Sequence, residues 1–323
     1  MPEITVISGE QLNYEEFVDM QLQAFAEIIR ETGVSDLFSA PYYRWKYATP
    51  FGSAKIALVR DNGVLVAANS MYRLRVAWAG GTLPVWQSCD TATHPQARGK
   101  GYFMKCLKAL KQELKDGEIF FGFPNKNSMP GFIKFGWSHR GDVNTWVRVL
   151  PGRRLSAYPK IEEIGEFGEP QDRFNRELLP MGGPLLERSS SYMNWRYRRH
   201  PVNSYSAFAW VENGRHEGVL VMRQARITGR NLAIVMEVLA LDRQIERKLL
   251  LYAAAWARNR GVGITMILNN TTTRTTGLTC GYAPVPMRFL PKRQVLMGDP
   301  VGEAAAGVWR QDWRVQIGDW DGF

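Results

Sequence analysis

The sequence predicts an α/β fold that is built twice, in which each half is a twisted mixed β-sheet flanked by helices. Residues 42–47 read Tyr-Tyr-Arg-Trp-Lys-Tyr and residues 192–197 read Tyr-Met-Asn-Trp-Arg-Tyr, so three aromatic positions match at one offset. The turn dipeptide Asn62-Gly63 is likewise echoed by Asn213-Gly214. Strand-like and helix-like patterns alternate in the same order in both halves, which indicates two copies of one unit.

The elements of the first copy follow from local patterns. An Asn-Gly pair between two apolar runs predicts a two-residue hairpin, and apolar residues spaced by four, three and four predict one face of a helix. In chain order we expect a strand at Ile4–Ser8, a helix over 14–31, the hairpin at Asn62-Gly63, a strand over 84–93, a helix through Phe103, Leu107, Leu110 and Leu114, a buried strand over Ile119–Phe123, a short helix ending at Gly136 and a last strand over Thr145–Leu150.

Boundary chemistry divides the chain between the copies. Pro151-Gly152 and Gly182-Gly183-Pro184 favour turns and loops. We therefore predict a first domain over 1–150, a linker over 151–185, a second domain over 186–298 and a C-terminal tail over 299–323.

Composition excludes several classes of protein. The 323 residues are 45% hydrophobic and 22% charged, which is an ordinary globular mixture. The longest apolar run, Leu249–Ala257, is far shorter than the roughly 20 residues of a membrane span. The three cysteines form no CxxC pair, so we expect neither a disulfide framework nor a metal site. With no secretory pattern in Met1–Glu10, a cytoplasmic location is expected. The net charge of +10 favours anionic partners.

The segment 91–103 carries the strongest chemical signal. It reads Thr-Ala-Thr-His-Pro-Gln-Ala-Arg-Gly-Lys-Gly-Tyr-Phe, so a strand leads through a glycine turn directly into a helix. The N–H groups of a first helical turn have no partner within the helix, and the helix dipole is positive there. Gly99 and Gly101 let a ligand approach the backbone, while Arg98 and Lys100 add charge. This pattern predicts a cradle for a pyrophosphate.

Two motifs in this order resemble the GCN5-related N-acetyltransferase (GNAT) superfamily. The first is Thr93-x-Pro95-x-x-Arg98-Gly99-Lys100-Gly101, similar to its coenzyme motif; the second is Asn125 followed by Phe132-Ile133-Lys134-Phe135-Gly136-Trp137. The resemblance covers roughly residues 1–150. It implies acetyl-CoA as co-substrate and a splayed pair of parallel strands holding the pantetheine arm. The coenzyme-binding residues that it implies are Thr91, Thr93, Arg98, Gly99, Lys100, Gly101, Tyr102, Phe103, Asn125 and Phe132.

The chain departs from the family pattern at several positions. Phe103 stands where the motif has Gly or Ala, and Phe132 stands where many members have the tyrosine that protonates the departing thiolate. A phenyl ring cannot donate a proton, so this role is open to Tyr102, Ser128, water or an incoming group. In the second copy Leu241–Glu246 has no glycine, and Asp242 would repel a phosphate. We therefore expect only the first half to bind coenzyme A.

Two carboxylates are the candidate catalytic residues. Asp90 precedes the cradle where the superfamily often has an acidic residue, and we predict it as general base; the alternative is an ordinary strand carboxylate. Glu237 is the matching residue of the second copy, which we predict to hold a cationic substrate or to form an ion pair. Asn125 either binds the pantetheine or caps the next helix.

The resemblance implies a tandem N-acetyltransferase with a degenerate second half. The expected acceptor is the primary amine of a small molecule or an amino sugar. One alternative is a Fem-type transferase that uses aminoacyl-tRNA, and another is a non-catalytic coenzyme-binding module. The aromatic and basic segment 192–200 is expected to be a helix with an aromatic core face and solvated arginines, so a nucleic-acid partner is not favoured. A monomer and a homodimer both fit the sequence.

Overall fold

The computed structural model describes residues 2–150, 160–227, 229–269, 274–285 and 294–320. Its first part holds β1 (Glu3–Ser8), α1 (Tyr14–Ala24), α2 (Ala26–Thr32), α3 (Ala40–Tyr47), β2 (Ala48–Thr49), β3 (Gly52–Ser53), β4 (Lys55–Asp61), β5 (Val64–Trp78), β6 (Gly81–Thr93), α4 (Tyr102–Gln112), β7 (Ile119–Gly122), α5 (Met129–Lys134) and β8 (Ser138–Val149). Its second part holds β9 (Ile161–Glu163), α6 (Glu169–Leu178), β10 (Leu185–Leu186), α7 (Ser190–Tyr197), β11 (Ser206–Glu212), β12 (Arg215–Ile227), β13 (Arg230–Ala240), α8 (Arg243–Asn259), β14 (Ile264–Asn269), α9 (Arg274–Thr279), β15 (Ala283–Pro284), β16 (Gln294–Pro300) and α10 (Gly302–Trp309).

All the described strands except β2 and β3, which pair with each other, form one continuous mixed sheet that runs through both halves. Its order is β1-β4-β5-β6-β7-β16-β8-β14-β13-β12-β11-β9, with β10 paired to β5 and β15 paired to β8. Helices cover the sheet, and α4 and α8 pack against its central strands in the first and second half. The mixed α/β fold predicted from the sequence is confirmed. Across the described ranges, no helix combines the length and the apolar character that a membrane crossing requires.

The two halves repeat each other element by element, and the repeat starts earlier than the sequence suggests. Strand β9 pairs with β11 as β1 pairs with β4, and α6 takes the place of α1. Gln21 in α1 and Gln171 in α6 are both fully buried. The segment predicted as a linker over 151–185 therefore contains, from residue 161, a strand and a helix of the second unit. The glycines and prolines of this segment correctly indicated turns. They also led to the whole segment being predicted as a linker, although it contains a short strand and a helix.

The halves exchange their last strands. The first residues of β8 pair with β16, while Asn144–Val149 pairs with β14 of the second half. In return β16 comes from the second half and lies against β7 of the first. The long strand β8 thus pairs with strands in both halves of the sheet. The predicted division at residue 150 stays a prediction, but hydrogen-bonded strands cross it in both directions.

Both predicted hairpins are present. Asn62 and Gly63 have φ values of 52° and 81°, and Asn213 and Gly214 have φ values of 51° and 73°. Two consecutive residues with positive φ form the type I′ turn that matches strand twist. These turns join the antiparallel strand pairs β4–β5 and β11–β12.

A pair of stacked tryptophans joins the two halves. The rings of Trp45 and Trp195 are 5.0 Å apart and nearly parallel. Each indole N–H donates to the other residue's carbonyl, at 2.8 and 3.0 Å. The two segments that match at one offset in the sequence are therefore related by a local two-fold arrangement in the fold. The predicted aromatic core face of 192–197 is present, but Arg196 is 5% exposed rather than solvated because the C-terminal segment covers it.

His200 packs beside this pair and makes stability depend on pH. Its ring lies 4.2 Å from that of Trp45, and its Nδ1 accepts from the N–H groups of Val202 and Asn203. Burial first, and then the positive charges of Arg196, Arg223 and Lys46, lower the pKa of His200 to about 3.

We expect the protein to lose stability between pH 7 and pH 5, and the variant His200→Gln to lose less. An unfolded histidine takes up a proton near pH 6.5, whereas folded His200 does not, so acid favours unfolding. The loss of stability between pH 7 and pH 5 should be about 2 kcal/mol larger in the wild type than in the variant. Urea unfolding at both pH values measures it, and equal losses in the two proteins would contradict it.

Candidate active site

The parallel pairing of β6 and β7 stops before β6 reaches the predicted cradle, and the region between the strands beyond their last pair is called the slot. Their parallel pairing ends at Gln87 and Phe121, but β6 continues to Thr93 along β5. The His94 N–H donates to the Val66 carbonyl of β5. Because backbone direction alternates along a strand, the N–H groups of Thr91 and Thr93 face the slot. These are the groups predicted to hold a pantetheine arm, and that role stays a prediction.

The turn after β6 presents bare backbone at the start of α4. Gly99 and Gly101 have φ values of 80° and 73°, and a Cβ built on either would meet no atom within 4 Å. Gly101 is the N-cap of α4, and no side chain caps that helix start. The N–H groups of the first turn are therefore left without a capping side chain, as an anion site requires.

In the second half, a side chain caps the start of the matching helix, α8. Asp242 is the N-cap of α8, and its Oδ1 accepts from the N–H groups of Gln244 and Ile245 at 2.7 and 3.3 Å. The carboxylate already occupies the positive end of the helix dipole. The two halves thus differ at the place where a diphosphate would bind.

The charged and aromatic neighbours of the cradle are themselves held in place. Arg98 donates to the Ala24 carbonyl at 3.1 Å, and Lys100 pairs with Asp61 at 3.3 Å. The Tyr102 hydroxyl also donates to Asp61, and its ring is 4% exposed. Tyr102 therefore faces β4, away from the slot, which argues against it as a proton donor.

Phe103 and Phe132 form an apolar cluster under the cradle. Their rings meet edge to face at 5.2 Å, and Phe132 lies 4.2 Å from Trp137. A Cβ on Gly131 would come within 2.2 Å of the Phe103 ring, so glycine is needed there. The large residue at the Gly/Ala position of the motif is accommodated by packing against α5.

Asn125 closes the turn that precedes α5. Its side-chain oxygen accepts from the N–H groups of Asn127 and Ser128 at 2.9 and 3.2 Å. Both N–H groups lie before the helix, whose N-cap is Ser128 and whose start no side chain caps, so Asn125 does not cap α5 itself. Ser128 is tied to the same turn, because its hydroxyl donates to the Asn125 carbonyl.

A cavity of about 570 Å³ adjoins the cradle. Its walls come from the α1–α2 junction, the turn after β6 and the loop before α5. The lining includes Phe25, Ile28, Pro95, Arg98 and Asn127. An apolar wall with cationic and amide groups at the rim suits a flexible arm that carries phosphates.

Asp90 lies at a strained bulge in β6. Two residues of β6, Asp90 and Thr91, oppose Asn69 of β5, and Asp90 has a φ of 49°. Such backbone strain in a residue other than glycine clusters at functional sites. The side chain of Asp90 is 13% exposed. The Gln21 side chain of α1 donates to its carbonyl at 3.0 Å and fixes the bulge.

Helix α3 supplies two partners of Asp90 that sequence reasoning missed. Lys46 donates to Oδ1 and Tyr47 donates to Oδ2, both at 2.9 Å. The Lys46 side chain is 4% exposed, and burial raises the pKa of Tyr47 above its usual value. The only signal for Lys46 was its conservative match to Arg196 in the repeat.

Glu237 has the corresponding contacts but no access to solvent. Its side chain is fully buried; Tyr197 donates to Oε1 at 2.5 Å and Arg188 donates to Oε2 at 3.0 Å. Arg188 also pairs with Asp319. Burial raises the pKa of Glu237, against the opposing effect of Arg188. The ion-pair alternative therefore describes Glu237 better than the predicted contact with a substrate.

Sequence comparison gives a family for the first half. Residues 7–140 match the family described as acetyltransferase (GNAT) domain. These residues contain β6, the cradle, α4, β7 and α5. No protein with a curated function is similar enough in sequence to count as a relative.

Solved structures share the fold over nearly the whole chain. A protein from Enterococcus faecalis described as a probable N-acyltransferase aligns with a TM-score of 0.66 and 14% identity, covering 94% of this chain and 73% of that one. A tandem GNAT protein of clavulanic acid biosynthesis aligns at 0.58 and 13%, covering 94% and 99%. N-myristoyltransferase of Saccharomyces cerevisiae, with bound myristoyl-CoA, aligns at 0.57 and 10%, covering 97% and 89%.

Proposed function

Residues 7–140 are a GNAT acetyltransferase domain, and from that premise we propose that the chain transfers an acetyl group from acetyl-CoA to the primary amine of a small molecule or amino sugar. The observation that carries this proposal is the uncapped, glycine-lined start of α4 beside a slot in the sheet. In the second half Asp242 caps the matching helix α8, so that helix start is closed.

The chain's residues suit each part of the coenzyme. The N–H groups of Gly99–Phe103 would bind the diphosphate, and those of Thr91 and Thr93 would bind the pantetheine amides in the slot. Arg98 lines the adjoining cavity and adds a positive charge. When bound, acetyl-CoA supplies the activated acyl group. Asp90 lies on β6 near the point where this strand leads into the cradle, which suits a base at the reactive end of the arm.

The reaction needs one proton acceptor. The amine nitrogen attacks the thioester carbonyl, a C–N bond forms, and the C–S bond breaks. The proton that the amine loses passes to the Asp90 carboxylate directly or through a water, and the thiolate takes a proton from solvent. Lys46 and Tyr47 hold the two carboxylate oxygens of Asp90 in place for this role.

We expect calorimetry to show one acetyl-CoA bound per chain, with coenzyme A released as free thiol when an amine is added. One site is expected because α4 has an open start, whereas Asp242 caps its counterpart α8. Binding of two equivalents would contradict the difference between α4 and α8. Tight binding without thiol release for any amine would instead support a non-catalytic module. A charged tRNA that binds while acetyl-CoA does not would support the aminoacyl-tRNA alternative.

A further inference from the structure

A second cavity lies between the two halves, away from the cradle. Its volume is about 380 Å³, within the range of sites that hold small molecules. Both halves contribute to its wall, the first with Arg75 of β5 and Thr82 of β6, the second with Asn175 and Arg176 of α6 and with Glu187. Thr82 lies near the start of β6, whereas the cradle follows the end of that strand. The proposed transfer reaction therefore makes no use of this cavity.

The carboxylates of the cavity wall already accept hydrogen bonds from the protein. Both oxygens of Glu187 accept from Arg75, whose Nη2 lies 2.8 Å from Oε1 and whose Nε donates to Oε2. Both oxygens of Asp172 accept from Ser190, from its N–H at 2.7 Å and from its hydroxyl at 2.8 Å. Arg75 thus balances the charge of Glu187, and the positive end of α7 partly balances that of Asp172.

Several hydrogen-bond donors of the cavity wall are left over. The Oδ1 of Asn175 accepts from the Arg188 N–H at 2.9 Å, and the NH2 group of Asn175 has no acceptor among the residues that the structure describes. Asn175 is only 7% exposed, so this amide is a buried group on the wall of the cavity. The ion pair engages Nε and Nη2 of Arg75, and within the described ranges its Nη1 has no acceptor. Arg176 has an exposed ion pair with Glu169, at 3.5 Å.

This excess of donors over free acceptors fits a ligand group that only accepts hydrogen bonds. Ionised carboxylates and phosphates are such groups, and guanidinium groups bind both through strong, charge-assisted hydrogen bonds. A buried amide NH2 without an acceptor is costly, and an oxyanion in the cavity would remove that cost. The wall of this cavity therefore has the chemistry of an oxyanion site that is built from both halves of the chain.

We propose that this cavity binds the oxyanion of a small metabolite, a carboxylate or a phosphate group, between Arg75 of the first half and Asn175 and Arg176 of the second. The site is separate from the cradle, so the proposal does not depend on the proposed function. Because the ligand would contact both halves of the folded chain, its binding is expected to stabilise the fold and to raise the Tm.

Calorimetry on the full chain gives the first test. Succinate and inorganic phosphate are titrated separately at constant ionic strength, and succinamide, which has the shape of succinate without its charge, is the control. We expect saturable binding of at least one of the two anions, with succinate or phosphate bound at least about tenfold more tightly than succinamide. Binding of succinate alone would identify a carboxylate as the source, and binding of phosphate alone a phosphorylated compound. No saturable binding of either anion overturns the inference.

Variants of α6 test whether the anion binds in this cavity. Arg176→Met should weaken binding by about tenfold, because a charge-assisted hydrogen bond is lost. Arg173→Met is the matched control, since Arg173 lies on the same helix, is 47% exposed and pairs with Glu177, away from the described cavity wall. Asn175→Asp keeps the acceptor for the Arg188 N–H but removes the NH2 donors, and it should weaken binding at least as much. An affinity that Arg176→Met leaves unchanged would place the anion elsewhere, such as on the cradle, and would overturn the inference. If Asn175→Asp does not fold, Arg176→Met decides.

Discussion

Replacement of Gly101 by aspartate is expected to weaken acetyl-CoA binding by about 100-fold, because it puts a carboxylate at the positive end of α4. Gly101 has a φ of 73° and caps the helix with its backbone alone. The new side chain has room, since no atom lies within 4 Å of its Cβ, so the fold should persist. It would point into the space that the diphosphate needs. Isothermal titration calorimetry with acetyl-CoA measures the loss.

Gly214→Asp is the matched control for this variant. Gly214 has a φ of 73° in the β11–β12 hairpin of the second half and also has no atom within 4 Å of a built Cβ. It therefore carries the same backbone strain and the same added charge in the half of the chain that lacks the cradle. Its affinity for acetyl-CoA should stay within about twofold of wild type. A similar loss in both variants would show that the cradle is not the binding site.

Asp90→Asn is expected to lower turnover by about 100-fold to 10,000-fold, while acetyl-CoA affinity stays nearly unchanged. The amide cannot accept the proton of the amine, but it keeps the size of the side chain at the bulge. Steady-state kinetics with saturating acetyl-CoA measure the effect. Wild-type turnover in this variant would remove Asp90 from the mechanism.

The variant Glu237→Gln distinguishes a role in catalysis from a loss of stability caused by removing a buried carboxylate. Glu237 has the same place in the other half and is bonded to Tyr197 and Arg188. Its replacement leaves a buried cation with less compensation, so unfolding should become easier by about 3 kcal/mol. Turnover of the folded variant should remain within about twofold of wild type. Loss of turnover equal to that of Asp90→Asn would show that both carboxylates act in the reaction.

The elements that depend on local chemistry could be predicted from the sequence. Asn62-Gly63 and Asn213-Gly214 form the expected turns, because few other residues adopt two positive φ values in succession. Helix α4 and the open glycines before it also lie where the pattern placed them. The match between Trp45 and Trp195 identified the repeat, and the structure shows in addition that these two residues stack on each other.

The features that depend on distant pairing could not be predicted. Lys46 meets Asp90 only because α3 crosses the bulge in β6, and nothing in residues 42–47 indicates a buried ammonium. The bulge itself is a consequence of the register between β5 and β6. The exchange of β8 and β16 likewise joins segments more than a hundred residues apart. Local patterns carry no information about such partners.

The exchange of β8 and β16 bears on how a chain of this kind can arise and be divided. Two separate copies of an ancestral unit would have to trade their final strands to reach this arrangement, as intertwined homodimers do. Fusion of the two genes then keeps the two copies, each of which needs a strand from the other, in one chain. A fragment cut between the copies would carry a strand that belongs to its neighbour and would lack its own, so its sheet would end in an open edge. Such fragments are therefore expected to associate with each other rather than to fold independently.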